Sequence, residues 1–220
     1  MFRLIRDFRA VYNDFLSRDN NDGYCMGLSL TWLGDMLKNR TIRKPAPSAF
    51  QRYPKECIFP SVENTKLLID TFERARLKQL NMEKRVGDYF KYSRNYFETA
   101  FFIAKYKNRK QIFLEEKYKV PGMRYTHSNI STHREIKGLD INESSSLSKQ
   151  GVIIIIDFGA ADDSSHAVAA FRYNKNSVYY LDANYGLYHI TGSNPTEDIE
   201  RIIRQKYGKF TFRGQILITA

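Results

Sequence analysis

A chain of 220 residues with 42% hydrophobic and 14% aromatic side chains can bury one good-sized core, and its length does not require a second domain. Its longest apolar run, residues 152–156, is strand-sized and far short of the roughly 18 residues of a membrane-spanning helix. The net charge of +11, from 35 basic against 24 acidic residues, favours acidic partners, but the basic residues are spread through the chain and form no nucleic-acid-binding motif.

Residues 1–17 are predicted to form a helix with Ile5, Phe8, Tyr12 and Phe15 on one face. Its basic side chains would also suit a membrane surface, and docking on its own core is the preferred reading. The alternation of charged and apolar residues leaves no signal-peptide core. With only Cys25 and Cys57 present, a reducing compartment is expected rather than a disulfide framework. A polar run, residues 18–24, leads to a helix over 25–39 in which Leu28, Trp32 and Met36 share a face. Asn21 or Asp22 can cap it, and Gly23 permits a tight turn into it.

Four prolines between 41 and 60 predict an irregular connection, which contains Cys57, read as structural. Helical patterns return over 62–82 and 84–117, the second rich in aromatic residues read as core. Residues 118–148 read as a long loop with room for a short strand. His127 and His133 there lack partners at ligand spacing, so neither a metal nor any other cofactor is expected.

From Gly151 the pattern changes. Strands are predicted over 151–158, 166–173 and 178–182, the last two joined by a hairpin turn at 174–177. A turn at 184–186, a short strand over 187–191, a helix after Asn194 with Pro195 at its first position, and a strand over 210–218 complete the chain. The expected fold class is α+β, a helical first half (about 1–117) packed on an antiparallel sheet (about 151–220), in one domain over 1–220.

Cys25 stands at the first residue of a helix, where unpaired N–H groups and the dipole favour a thiolate. Alone it reads first as a buried free thiol, the commoner case. His166, however, opens a strand after a loop of small and acidic residues, and Asp182 ends the partner strand of the same hairpin, so the two return to one sheet edge. Thiol, base and orienting acid are the parts of an activated cysteine nucleophile. His189, in the short strand after Asp182, is read as a sheet residue.

The blocks Gly23-Tyr24-Cys25 into Leu28-Ser29-Leu30-Thr31-Trp32-Leu33, Ser165-His166-Ala167-Val168-Ala169 and Leu181-Asp182-Ala183-Asn184-Tyr185-Gly186 resemble, in order and spacing, the three motif blocks of the YopT-type cysteine proteases, bacterial type III effector enzymes. Residues 40–148 carry no such likeness, and Ala183 stands where that family favours proline. The resemblance implies a papain-like fold and a Cys25, His166, Asp182 triad, with the amide of Asn20 (or its neighbour Asn21) in the oxyanion hole. It further implies cleavage of a host protein, with lipidated small GTPases or kinases as candidates, after secretion into the host cell, and contact with an anionic membrane surface. No nucleic acid is expected. The same triad would serve a lysine fatty-acyltransferase, and the scaffold could also persist as a non-catalytic binding module.

Overall fold

Residues 152–156 alternate between two cores, as successive side chains of a strand must. In the computed structural model, which describes residues 1–19, 23–42, 59–90, 124–130, 150–158, 165–174 and 176–219, they lie in β3 (Gln150–Asp157). Ile153 and Ile155 face a cluster of helices, while Val152, Ile154 and Ile156 face the opposite side. The other strands are β1 (Phe2–Arg6), β2 (Arg124–Ile130), β4 (Ser165–Asn174), β5 (Ser177–Asp182), β6 (Gly186–Thr191) and β7 (Thr211–Thr219). Together they form a seven-stranded sheet in the order β1-β6-β5-β4-β3-β7-β2, antiparallel at every pairing. Helices with an antiparallel sheet make the architecture α+β.

Three helices cover one face: α1 (Arg9–Asp19), α2 (Cys25–Ile42) and α3 (Thr65–Phe90). Phe8, Tyr12, Phe15 and Phe72 pack ring against ring between α1 and α3, with Phe59 stacked on Phe8 at 4.7 Å. Beneath α2 the β4 side chains are Ala167 and Ala169, both buried, and their small size lets the helix lie close on the sheet. Asp35 of α2 takes both guanidinium nitrogens of Arg74 at 3.1 and 2.8 Å, joining α2 to α3. The opposite face is covered by α4 (Pro195–Tyr207), which buries Ile199, Ile202 and Ile203. Its start follows the predicted chemistry: Asn194 Oδ1 accepts the Glu197 N–H, and Pro195 occupies the first turn.

Two sequence expectations are corrected. Residues 1–17 are not one helix: Phe2–Arg6 is an edge strand, with Phe2 opposite Ile190 and Leu4 opposite Tyr188. Pairing with β6 gives these residues interstrand hydrogen bonds in place of helical ones, and the helix begins at Arg9. Helical patterns broken at 83 are in fact continuous to Phe90 in α3, capped at its start by Asn64, whose Oδ1 accepts the Leu67 N–H at 3.1 Å. The short strand allowed for within 118–148 is β2, paired to β7. The aromatic pattern over 91–117 lies outside the described residues.

Candidate active site

The β4–β5 hairpin sets two of the three predicted catalytic residues. Ala169 pairs with Leu181 and Ala170 with Tyr180, so the start of β4 and the end of β5 share one sheet edge. His166 and Asp182, sixteen positions apart, meet there with Nε2 and Oδ1 3.0 Å apart. Asp182 is wholly buried and His166 only 6% exposed.

The Asp182 carboxylate is ringed by donors. Besides His166, the Asn184 N–H donates to Oδ1 at 3.0 Å, Tyr180 Oη donates to Oδ2 at 3.3 Å, and Tyr207 Oη lies 2.9 Å from both oxygens. Burial with fewer partners would be costly for a charge. The same crowding raises the Tyr180 and Tyr207 hydroxyls well above the ordinary phenol range, first through burial and then through the Asp182 charge.

Cys25, the first residue of α2, completes the group. Cys25 is half-buried, and its thiol and the His166 ring are electrostatically coupled, each shifting the other. Burial pushes the thiol up, but His166 and the backbone N–H groups of Ala167 and Met26 outweigh it and hold its pKa below the ordinary 9.0. For His166 burial works against the charged form, yet Asp182 and Cys25 prevail and raise its pKa from 6.5 to about 10. Both directions favour a thiolate beside an imidazolium.

The turn before Cys25 is held from three sides. Tyr12 Oη accepts the Tyr24 N–H at 2.8 Å, and Tyr24 Oη donates to Asp19, which also pairs with Arg76 at 2.7 Å. Gln79 bonds residues on both sides of the cysteine, and Gly23 has φ 147°, a conformation that favours glycine. On the sheet side Ser29 Oγ donates to the Ala167 carbonyl at 3.4 Å.

The structure thus brings Cys25, His166 and Asp182 together, with His166 hydrogen-bonded to Asp182 and electrostatically coupled to Cys25. Asn20, Asn21 and the proposed cap Asp22 lie outside the described residues, as do Cys57 and His133. His127 is on β2, across the sheet from the site. His189 is a β6 residue stacked on Tyr179 at 4.7 Å, with Ser177 Oγ 2.7 Å from its Nε2. Among the described residues no group of three His, Cys, Asp or Glu side chains could hold a metal ion, and no helix is long and apolar enough to cross a membrane.

Sequence reasoning missed Tyr207, Tyr180 and Gln79. Tyr180 shares a strand face with Asp182 two residues on, and Tyr207 lies four residues past Ile203 on the inward stripe of α4, so periodicity could turn both inward but could not name their partner. Gln79 carries no such signal.

No protein-family model matches the chain, and no curated protein matches its sequence. Among solved structures it is similar to the crystal structure of the Pseudomonas avirulence protein AvrPphB, with a TM-score of 0.46 and 12% identity over 91% of this chain and 93% of that one.

Proposed function

We propose that the chain is a cysteine protease of the YopT-like effector type, a single papain-like catalytic domain that cleaves a host protein after delivery into the host cell. One observation supports this above the rest: a half-buried cysteine at a helix start, electrostatically coupled to an imidazole that a fully buried aspartate holds at 3.0 Å.

In this mechanism the Cys25 thiolate attacks the carbonyl carbon of the scissile peptide. The Cys25 N–H and the Asn20 amide stabilise the oxyanion, each donor worth about 2.7–4 kcal/mol. His166 gives its proton to the leaving amine as the C–N bond breaks, leaving a thioester on Cys25. Water then attacks the thioester, His166 takes its proton, and the acid product leaves with the thiolate restored. Asp182 keeps the imidazole oriented and its charge compensated throughout. The substrate proposed is a membrane-associated host protein, a lipidated small GTPase or a kinase, approached along an anionic surface that the +11 charge attracts.

Incubating the chain and its Cys25→Ala variant with host-cell lysate, in the presence of an alkynyl fatty-acid reporter, tests the reading. New protein termini that depend on Cys25 are the expected result. Lysines labelled by the reporter without new termini would replace proteolysis by acyl transfer. Loss of neither product in Cys25→Ala would remove the thiol from the chemistry altogether.

A further inference from the structure

We infer that Tyr207, the last residue of α4, is a positioning residue of this site: its hydroxyl fixes the Asp182 carboxylate and, through it, the ring of His166. The inference rests on the reading of Cys25, His166 and Asp182 as a triad.

The two carboxylate oxygens of Asp182 are not equally held. Oδ1 takes the His166 ring and the Asn184 N–H, both at 3.0 Å. Oδ2 has the Tyr180 hydroxyl at 3.3 Å and Tyr207 at 2.9 Å, so Tyr207 is its close donor. Tyr207 Oη reaches Oδ1 at the same distance and so stands across the carboxylate rather than at one end. Without that hydroxyl, Oδ2 would keep one long bond in a fully buried place, and the carboxylate would turn to share the donors now on Oδ1.

The ring adds a second contact. Tyr207 packs against the His166 imidazole at 5.5 Å and is itself set between Phe158 at 5.0 Å and Tyr185 at 5.2 Å. The helix end is tied to the turn after Asp182 at Tyr207 and at the residue before it. Asn184 Nδ2 donates to Tyr207 Oη at 3.3 Å, and Tyr185 Oη donates to the Lys206 carbonyl at 3.2 Å. The helix stops immediately afterwards, at Gly208, whose N–H returns to the Arg204 carbonyl. Hydrogen bonds therefore run from Asn184 through Tyr207 and Asp182 to His166, which is electrostatically coupled to Cys25. The titratable groups bearing on Asp182 are His166 from β4, Tyr180 from β5, Tyr188 from β6 and Tyr207 from α4, with Cys25 of α2 beyond the imidazole. Asp7 and Arg9, paired with each other, act on Tyr188.

The test needs no substrate. Iodoacetamide labelling of Cys25, followed by mass spectrometry of its peptide across pH, reads the thiolate fraction in the full-length chain. Wild type is expected to label with a midpoint below that of an ordinary thiol. Tyr207→Phe, which keeps the ring and removes the hydroxyl, is expected to raise that midpoint by about one pH unit with native circular dichroism. Asn184→Ala, at an exposed turn, removes only the donor to Tyr207 and should shift it the same way by less; it decides the matter if Tyr207→Phe does not fold. An unmoved or lowered midpoint in the folded variant overturns the role of Tyr207 and leaves the triad standing. An ordinary midpoint in wild type overturns the triad itself.

Discussion

The side-chain carbonyl of Gln79 accepts the Gly27 N–H at 3.1 Å, and its amide donates to the Gly23 carbonyl at 3.2 Å. One residue of α3 therefore grips the chain before and after Cys25. Gln79→Leu removes both bonds at nearly constant volume. At about 0.5–1.5 kcal/mol net for each bond, and about 2–4 °C per kcal/mol at this chain length, the melting midpoint should fall by several degrees. Calorimetry read beside Cys25 labelling separates two roles: labelling should slow in protein that is still folded, and labelling unchanged below the transition would make Gln79 a structural tie only.

Gly27 marks where α2 and α3 cross. A Cβ there would lie 2.0 Å from the Ala75 carbonyl oxygen and 2.9 Å from Gln79 Cβ, so the obstacle is backbone and cannot step aside. Gly27→Ala should force the helices apart at a cost of about 1–3 kcal/mol or more. A thermal melt coinciding with wild type would refute so close a crossing.

The pH profile should distinguish the two partners of the ion pair. As pH falls through the lowered pKa of Cys25, the thiolate is protonated and labelling and proteolysis decline together. As pH rises through the raised pKa of His166, near 10, the imidazolium loses the proton that the leaving amine needs. Proteolysis should then fall while labelling persists. A common alkaline limb for both readouts would contradict His166 as the acid.

Asp182→Asn and Asp182→Ala should fail in different ways. The amide keeps the shape but removes the charge that supports the imidazolium, so turnover should drop by about 10²-fold and the alkaline limb should move down. The alanine also strips the acceptor from His166, Tyr180, Tyr207 and the Asn184 N–H, all inside a buried site. Removing one member of such a buried set costs about 3–5 kcal/mol. Denaturant midpoints should therefore fall much further for Asp182→Ala than for Asp182→Asn.

The parts of the site governed by local pattern were legible in the amino-acid sequence. Apolar spacing marked the helix that starts at Cys25, and the turn residues between β4 and β5 fixed which strand ends meet, which brought His166 to Asp182. Phe2–Arg6 was misread because its state is decided by a distant partner, β6, which its own charged and apolar residues do not announce. Tyr207 was given no role from the sequence. Its role depends on how α4 lies over the turn at residues 183–185, and short-range periodicity carries no such information. Gln79 is a polar residue on an amphipathic helix, indistinguishable in sequence from its solvent-facing neighbours.

The Ser29–Ala167 hydrogen bond joins residues 138 positions apart, directly beside the thiol and the imidazole. Closing so long a loop costs entropy that is lost before the contact repays it. During synthesis Cys25 emerges well before His166, so on the proposed reading the thiol lacks its base until β4 docks beneath α2. On that reading the order of residues along the chain acts as a timer, and the thiol becomes reactive only once the two ends of this long loop have met.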